Sequence, residues 1–205
     1  MKKNVISPEK SYTFSDYFKM RISTEDVVNY FGYTKENARL ELPSSTRDLP
    51  VLEQLFFIIE DALLHISLEN EITRREFLIA PVMAEVRRLT NSKLRSEYWF
   101  EYNNQLKGSL DYFLRTDQYL LVIEAKDADM TRGFTQLSVE MIAIDKADET
   151  EQKIIYGAIT TGNIWQFGKL ERERKLITQD IGSYDLLQDL ETLVRIFIEI
   201  LERKS

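Results

Sequence analysis

The stretch GSLDYFLRTDQYLLVIEAK, residues 108–126, predicts a β-hairpin. Residues 109–115 are rich in β-formers, residues 116–118 are polar, and residues 119–123 are a continuous apolar run. Two short β-rich runs joined by a polar turn are typical of neighbouring antiparallel strands. We therefore expect this hairpin to form the centre of a sheet around which the rest of the chain is arranged.

Three ionisable residues interrupt the apolar hairpin: Asp111 in the first strand, and Glu124 and Lys126 at the end of the second. Side chains alternate across a strand, so Glu124 and Lys126 share one face. Leaving such charges in a sheet costs on the order of several kcal/mol per ion unless they are paired or bind a metal. The two carboxylates and the ammonium are therefore expected to converge at one end of the sheet. The alternative interpretation is an Asp at a hairpin turn and an ordinary Glu–Lys pair at a strand end.

An Asp on one strand, then a hydrophobic strand ending in Glu-x-Lys, resembles the active-site signature of the PD-(D/E)XK nuclease superfamily, which has the restriction-endonuclease-like fold. Leu110 stands where the family name has a proline. The resemblance implies that Asp111, Glu124 and the backbone carbonyl of Ala125 hold a Mg²⁺ or Mn²⁺ ion. Lys126 would then orient or deprotonate the attacking water, or offset the developing negative charge.

The helix predicted before the sheet supplies a further acidic candidate. It spans residues 73–90, begins with a capping box at Thr73 and is kinked by Pro81. Glu85 lies in its apolar stripe. Two interpretations stay open: Glu85 is another metal ligand, as in many members of the superfamily, or it pairs with Arg88 three residues on.

The helix predicted after the hairpin, residues 132–146, supplies a polar candidate. Gln136 matches a glutamine that lies close to the metal site in related nucleases. The alternative is an exposed polar residue on the surface of the helix. Glu140 stands where the family pattern often has a tyrosine, so that part of the pattern is not met.

The order helix, three strands, helix, strand over residues 73–160 predicts an α/β fold. By resemblance it is a restriction-endonuclease-like core (αβββαβ), with a mixed central sheet flanked by helices. All 205 residues are expected to form a single domain. Residues 1–50 are predicted to be an aromatic-rich N-terminal extension that packs on the core, and residues 183–203 a C-terminal helix capped by Ser183.

Charge and composition limit the chemistry. The net charge of −7 counts against a large non-specific nucleic-acid footprint, although a local basic groove is compatible with it. The chain has no cysteine and one histidine, His65, so a metal here needs oxygen ligands, which favours magnesium, manganese or calcium. The mixed charges of residues 169–175 indicate a solvated edge, and the alternative interpretation is a patch that contacts phosphate.

The same features bear on location and partners. The absence of cysteine fits a reducing cytoplasm. The N-terminal residues lack the apolar segment of a signal peptide, and the longest apolar runs are too short to span a bilayer. We therefore expect a cytoplasmic protein with no membrane partner. A homodimer is compatible with the resembled fold.

Three functions are consistent with these observations. The principal hypothesis is a Mg²⁺-dependent nuclease of the PD-(D/E)XK type, acting on DNA rather than RNA. The second is a catalytically inactive nuclease-like module used for binding or assembly, which the acidic charge favours. The third is a metal-dependent hydrolase of another phosphoester.

Overall fold

The computed structural model describes residues 6–49, 52–116, 120–125, 129–148, 150 and 152–202, with only the backbone described for residues 120–125. Over these residues the protein has a mixed α/β fold in which helices flank a mixed sheet, as predicted. The helices are α1 (Phe14–Lys19), α2 (Thr24–Tyr30), α3 (Glu53–His65), α4 (Glu71–Arg74), α5 (Ala80–Thr90), α6 (Met130–Ala147) and α7 (Leu190–Glu202), with a π-helical turn, Arg75–Ile79, between α4 and α5.

The sheet has eight strands within the described ranges. They are β1 (Thr34–Ala38), β2 (Lys93–Asn103), β3 (Leu106–Arg115), β4 (Leu120–Ala125), β5 (Ile154–Thr160), β6 (Ile164–Glu171), β7 (Leu176–Asp180) and β8 (Tyr184–Asp185). Seven of them lie in the order β1-β7-β6-β5-β4-β3-β2, and β8 is paired to β6. Strands β1 and β7 are parallel, as are β4 and β5, and the other pairs are antiparallel.

Each face of the sheet buries its own apolar cluster. On one face, α3, α5 and α7 contribute residues such as Ile59, Val82 and Phe197. On the other face, α6 packs on the sheet, and α1 and α2 cover α6, with Phe14 and Tyr17 fully buried. The N-terminal aromatic residues are therefore part of the core, as the sequence predicted.

The central hairpin is present as strands β3 and β4. Its described ladder ends at the Tyr112↔Ile123 pair. Asp111 and Glu124 come next in register, but no pair is described between them, while β4 continues alongside β5 on its other edge and β3 alongside β2. The described β3–β4 ladder thus stops between Asp111 and Tyr112 on β3 and between Ile123 and Glu124 on β4.

The predicted helix over residues 73–90 is present, but its start was wrong. Its cap is Asn70, whose side chain accepts a hydrogen bond from the Thr73 N–H, because an Asn oxygen satisfies a first-turn donor as well as a Thr hydroxyl does. The predicted irregularity at Pro81 takes the form of the π-helical turn. Proline lacks the N–H that would bond the carbonyl four residues back, so a regular α-helix cannot continue through it.

The C-terminal helix also starts later than predicted. Ser183 is not its cap, since Tyr184–Asp185 forms the short strand β8 and the helix begins at Leu190. The Asp185 carboxylate instead accepts hydrogen bonds from the N–H groups of Leu187 and Gln188 in the intervening turn.

The predicted solvated edge over residues 169–175 is present in part, since residues 173–175 are exposed. This run forms the end of β6 and the turn into β7. Arg172 within it is largely buried, and its Nε donates to Asp145 at 2.6 Å.

Two predicted features fall on residues outside the described ranges: the tip of the hairpin turn and Lys126. Within those ranges, no helix has both the length and the apolar character needed to cross a membrane.

Candidate functional site

The register of the β3–β4 ladder places two of the predicted site residues opposite each other. Asp111 and Glu124 lie just beyond the last described pair of the ladder, one on each strand. On its other edge β4 remains paired with β5, where Glu124 is opposite Ile159. The convergence of the side chains at a metal site stays a prediction. Lys126 stays a prediction.

Asp111 is largely buried and faces a guanidinium. Its Oδ1 lies 3.5 Å from Arg75 Nη1, and the Asp111 and Arg75 side chains are 13% and 18% exposed. Arg75 opens the π-helical turn. The extra residue in a π-helical turn changes which side chains face the sheet, and such turns are frequent at functional sites.

A second carboxylate, that of Glu97 on β2, holds Arg75 from the other side. Its Oε1 forms an ion pair with Arg75 Nη2, and its Oε2 accepts a hydrogen bond from Ser109 Oγ at 3.1 Å. Glu97 has a φ of 48°, which is uncommon for a residue other than glycine. On β2 it lies between the residues that pair with Leu110 and Tyr112, so it is opposite Asp111 of the neighbouring strand β3.

Tyr112 completes the surroundings of Arg75. Its ring centroid lies 5.6 Å from the Arg75 Cζ, and its hydroxyl donates to the Arg75 backbone oxygen at 3.3 Å. Burial lowers the pKa of Arg75, but the charges of Asp111 and Glu97 outweigh it and raise that pKa above its ordinary value. Burial also raises the pKa of Tyr112. The guanidinium is therefore permanently charged and fixed in orientation.

Gln136 and Glu140 form a buried polar pair on α6. Gln136 is 4% exposed and Glu140 is fully buried, so the interpretation of Gln136 as an exposed surface residue was wrong. Gln136 Nε2 donates to Glu140 Oε1 at 2.9 Å. Gln136 Oε1 is buried and has no hydrogen-bond partner in the part of the chain that the structure describes. An unsatisfied buried oxygen of this kind is expected to take a water, an ion or another donor.

Glu85 pairs with Arg88, which was the second of the two interpretations of this residue. Arg88 Nε donates to Glu85 Oε2 at 2.9 Å, and the two residues form an ion pair on α5. That hydrogen bond is the main cause of a lowered Glu85 pKa. Its role as a metal ligand stays a prediction.

Arg75 and Glu97 were missed in the sequence. Arg75 belonged to the stretch interpreted as a helix cap, and Glu97 was an ordinary charged residue in the first of the three strands predicted after that helix. The signal that was available is weak: a charged residue at the edge of a strand, opposite an Asp that already interrupted its own strand. The Glu97 backbone conformation, which makes the position unusual, has no signature in the sequence.

The donor set suits a hard divalent cation. Asp111 and Glu124 offer oxygen donors, and neither thiolates nor a histidine cluster compete with them. The described side chains, which exclude that of Glu124, contain no group of three or more metal-binding residues. A Mg²⁺ or Mn²⁺ site is therefore compatible with the chemistry of these residues.

No protein-family model matches the chain, and no curated protein matches its sequence. The described residues and their chemistry are thus the basis for assigning a function.

Proposed function

We propose that the protein is a metal-dependent nuclease that hydrolyses phosphodiester bonds, with DNA favoured over RNA as its substrate. One observation carries the proposal. The β3–β4 ladder stops so that Asp111 and Glu124 are next in register on the two strands. This is the arrangement expected from an Asp and a Glu-x-Lys on neighbouring strands of a PD-(D/E)XK nuclease.

The order of elements supports the same assignment. From α4 to β5 the chain runs helix, three antiparallel strands, helix, and a strand parallel to β4. This order is that of a restriction-endonuclease-like core, and we propose that fold for residues 73–160. The cysteine-free composition is in keeping with a cytoplasmic location.

Asp111, Glu124 and the Ala125 carbonyl are the groups proposed to hold Mg²⁺ or Mn²⁺. When bound, such an ion lowers the pKa of a coordinated water and polarises the phosphate. Asp111 contributes a negative charge whose position the neighbouring guanidinium helps to fix. Lys126 is proposed to orient or deprotonate the water, or to offset the charge that develops on the phosphate. Gln136 offers a buried amide oxygen as an acceptor.

A second candidate function is a nuclease-like module that binds without catalysis. The ion pair between Asp111 and Arg75 favours it, because the guanidinium already provides Asp111 with a positive charge. A net charge of −7 gives such a module a preference for basic protein partners over nucleic acids.

The test is a cleavage assay with Mg²⁺ or Mn²⁺ on a panel of single-stranded, double-stranded and branched DNA and RNA. Asp111→Asn removes a charged metal ligand with little change in shape, and we expect a loss of cleavage of about a hundredfold or more. Lys126→Ala is expected to have a similar effect. Binding of Mn²⁺, measured by calorimetry, should weaken in Asp111→Asn.

Matched controls are Asp61→Asn, an exposed residue of α3, and Lys153→Ala, whose side chain is exposed before β5. Both should cleave as the wild type does. If the wild type neither binds Mn²⁺ nor cleaves any member of the panel, the nuclease assignment is wrong and the binding module is the better description.

A further inference from the structure

Arg75 is a positive group built into the candidate site. It lies beside Asp111, the residue proposed to hold the metal, and belongs to a π-helical turn that packs against the sheet. A nuclease must hold a polyanion, yet this chain carries a net charge of −7. A permanently charged guanidinium at this position is the kind of group that such a substrate requires.

The two contacts of Arg75 are unequal. Its ion pair with Glu97 is close, whereas Nη1 lies 3.5 Å from Asp111 Oδ1. Charge-assisted hydrogen bonds between nitrogen and oxygen are typically about 2.7–2.9 Å long. Glu97 therefore makes the closer contact with Arg75, and we expect the longer contact to Asp111 to be the one that yields when another anion approaches.

The guanidinium lies at the edge of the surface and is oriented by its neighbours. The Arg75 side chain is 18% exposed and that of Glu97 is 57% exposed, so the ion pair connects a largely buried group to the surface. The Tyr112 ring lies beside the guanidinium, and the Tyr112 hydroxyl donates to the Arg75 backbone oxygen. A guanidinium has five N–H donors in a rigid fork whose geometry matches two phosphate oxygens. The contacts with Glu97 and Asp111 do not use all five donors.

We propose that Arg75, anchored by Glu97, binds a phosphate of the substrate next to Asp111. This inference rests on the proposed nuclease function. It adds a phosphate-binding residue and its positioning residue to the site, neither of which belongs to the Asp and Glu-x-Lys pattern.

The experiment compares wild type, Arg75→Gln, Arg75→Lys and Glu97→Gln on fluorescein-labelled single-stranded DNA, double-stranded DNA and RNA of one sequence. Cleavage in Mn²⁺ gives kcat and KM, and calorimetry gives the affinity for Mn²⁺ alone. Losing a hydrogen-bonded charge on the substrate should raise KM by about 10- to 100-fold in Arg75→Gln. Arg75→Lys, which keeps the charge but not the fork, and Glu97→Gln, which loosens the anchor, should show smaller increases.

Arg195→Gln is the matched control, since Arg195 is also mostly buried and ion-paired, with Glu191 on α7. It should behave as the wild type. Thermal unfolding establishes that each variant is folded, and Glu97→Gln tests the inference if Arg75→Gln does not fold.

The outcomes separate this inference from the proposed function. A higher KM with unchanged or tighter Mn²⁺ binding supports phosphate binding by Arg75. Unchanged cleavage in folded Arg75→Gln and Glu97→Gln overturns it and leaves the nuclease assignment intact. Loss of both Mn²⁺ binding and cleavage in Arg75→Gln also overturns the inference, because Arg75 then only positions Asp111. A wild type that neither binds Mn²⁺ nor cleaves overturns both.

Discussion

Glu140 places a carboxylate in the interior of the molecule, on a helix that the sheet covers on one side and α1 and α2 on the other. Its Oε1 accepts the hydrogen bond from Gln136 Nε2. Replacing it with an apolar residue would leave that buried amide N–H without its acceptor.

We therefore expect Glu140→Leu to lower the free energy of unfolding by about 1–3 kcal/mol. Glu140→Gln, which keeps an acceptor oxygen, should lower it less. Urea unfolding measures both, with Glu199→Leu on α7 as a partly exposed control that should change stability by about 0.5 kcal/mol at most. A Glu140→Leu variant as stable as the wild type would mean that the pair contributes nothing to the fold.

The ion pair of Glu85 with Arg88 makes a prediction about pH. The hydrogen bond from Arg88 lowers the Glu85 pKa below its ordinary value of 4.5. The folded-state pKa is thus lower than the unfolded one, so the pair stabilises the protein above pH 4.5 and loses this contribution as the pH falls through the folded-state pKa.

The variant Arg88→Gln should accordingly be less stable than the wild type at neutral pH. At pH values well below the folded-state pKa of Glu85, the two proteins should be equally stable. Urea unfolding over this range provides the comparison. A stability difference that persists in acid would assign the effect of Arg88 to packing rather than to its charge.

The residues of the candidate site differ in how far the sequence could reveal them. Asp111 and Glu124 were predictable because each breaks an apolar strand, and charges in such places need a reason. The burial of Gln136 was not predictable, because it depends on the N-terminal helices, which cover α6 but are distant from it in the sequence. Arg75 was hidden because its orientation depends on one extra residue in a helical turn.

At the level of elements, α6 lies unusually close to the sheet at two glycines. A Cβ added to Gly168 on β6 would lie 2.7 Å from Phe134 Cε2, and one added to Gly157 on β5 would lie 2.9 Å from Leu137 Cδ1. Both distances are shorter than a normal carbon–carbon contact. The helix can pack at this depth only because these strand positions lack side chains.

Gly168→Ala should therefore destabilise the protein by about 1–3 kcal/mol through overpacking. Gly182→Ala is the matched control, because its added Cβ would meet only Asp180 at 3.4 Å, an ordinary contact. Urea unfolding of the two variants tests this. Equal stabilities would mean that α6 can shift away from β6 at little cost.

Strand β1 was missed in the sequence for a physical reason. Strand β1, with the sequence Thr-Lys-Glu-Asn-Ala, is polar and lies at the edge of the sheet, so it shows no alternation of apolar residues. Its partner β7 follows a charged run that looked like a solvated edge. The central strands were predictable because burial on both faces makes them apolar, whereas edge strands are held by backbone hydrogen bonds that any sequence can make.

For the whole molecule, charge sets how nucleic acid can be bound. Several cationic side chains of the described chain are already ion-paired, among them Arg88, Arg132 and Arg174. With a net charge of −7, we expect the protein to neutralise only a small number of phosphates.

We expect a shallow dependence of DNA affinity on salt, with a log–log slope of about −2 and a loss of roughly tenfold between 50 and 200 mM salt. Fluorescence anisotropy of a labelled duplex, titrated at several salt concentrations, measures the slope. A slope of about −6 or steeper would contradict this and indicate a basic surface outside the described residues.

The pairing of β1 with β7 has a consequence for how the chain reaches its native state. These strands are joined in parallel, with Thr34 opposite Leu176 and Ala38 opposite Asp180. On a ribosome, β1 emerges long before its partner, because almost the whole sheet lies between them in the sequence. That edge of the sheet can form only after β7 has been synthesised. Contacts between such distant segments are slow to form, so refolding should be slow and β1 should be among the last elements to become protected from hydrogen exchange.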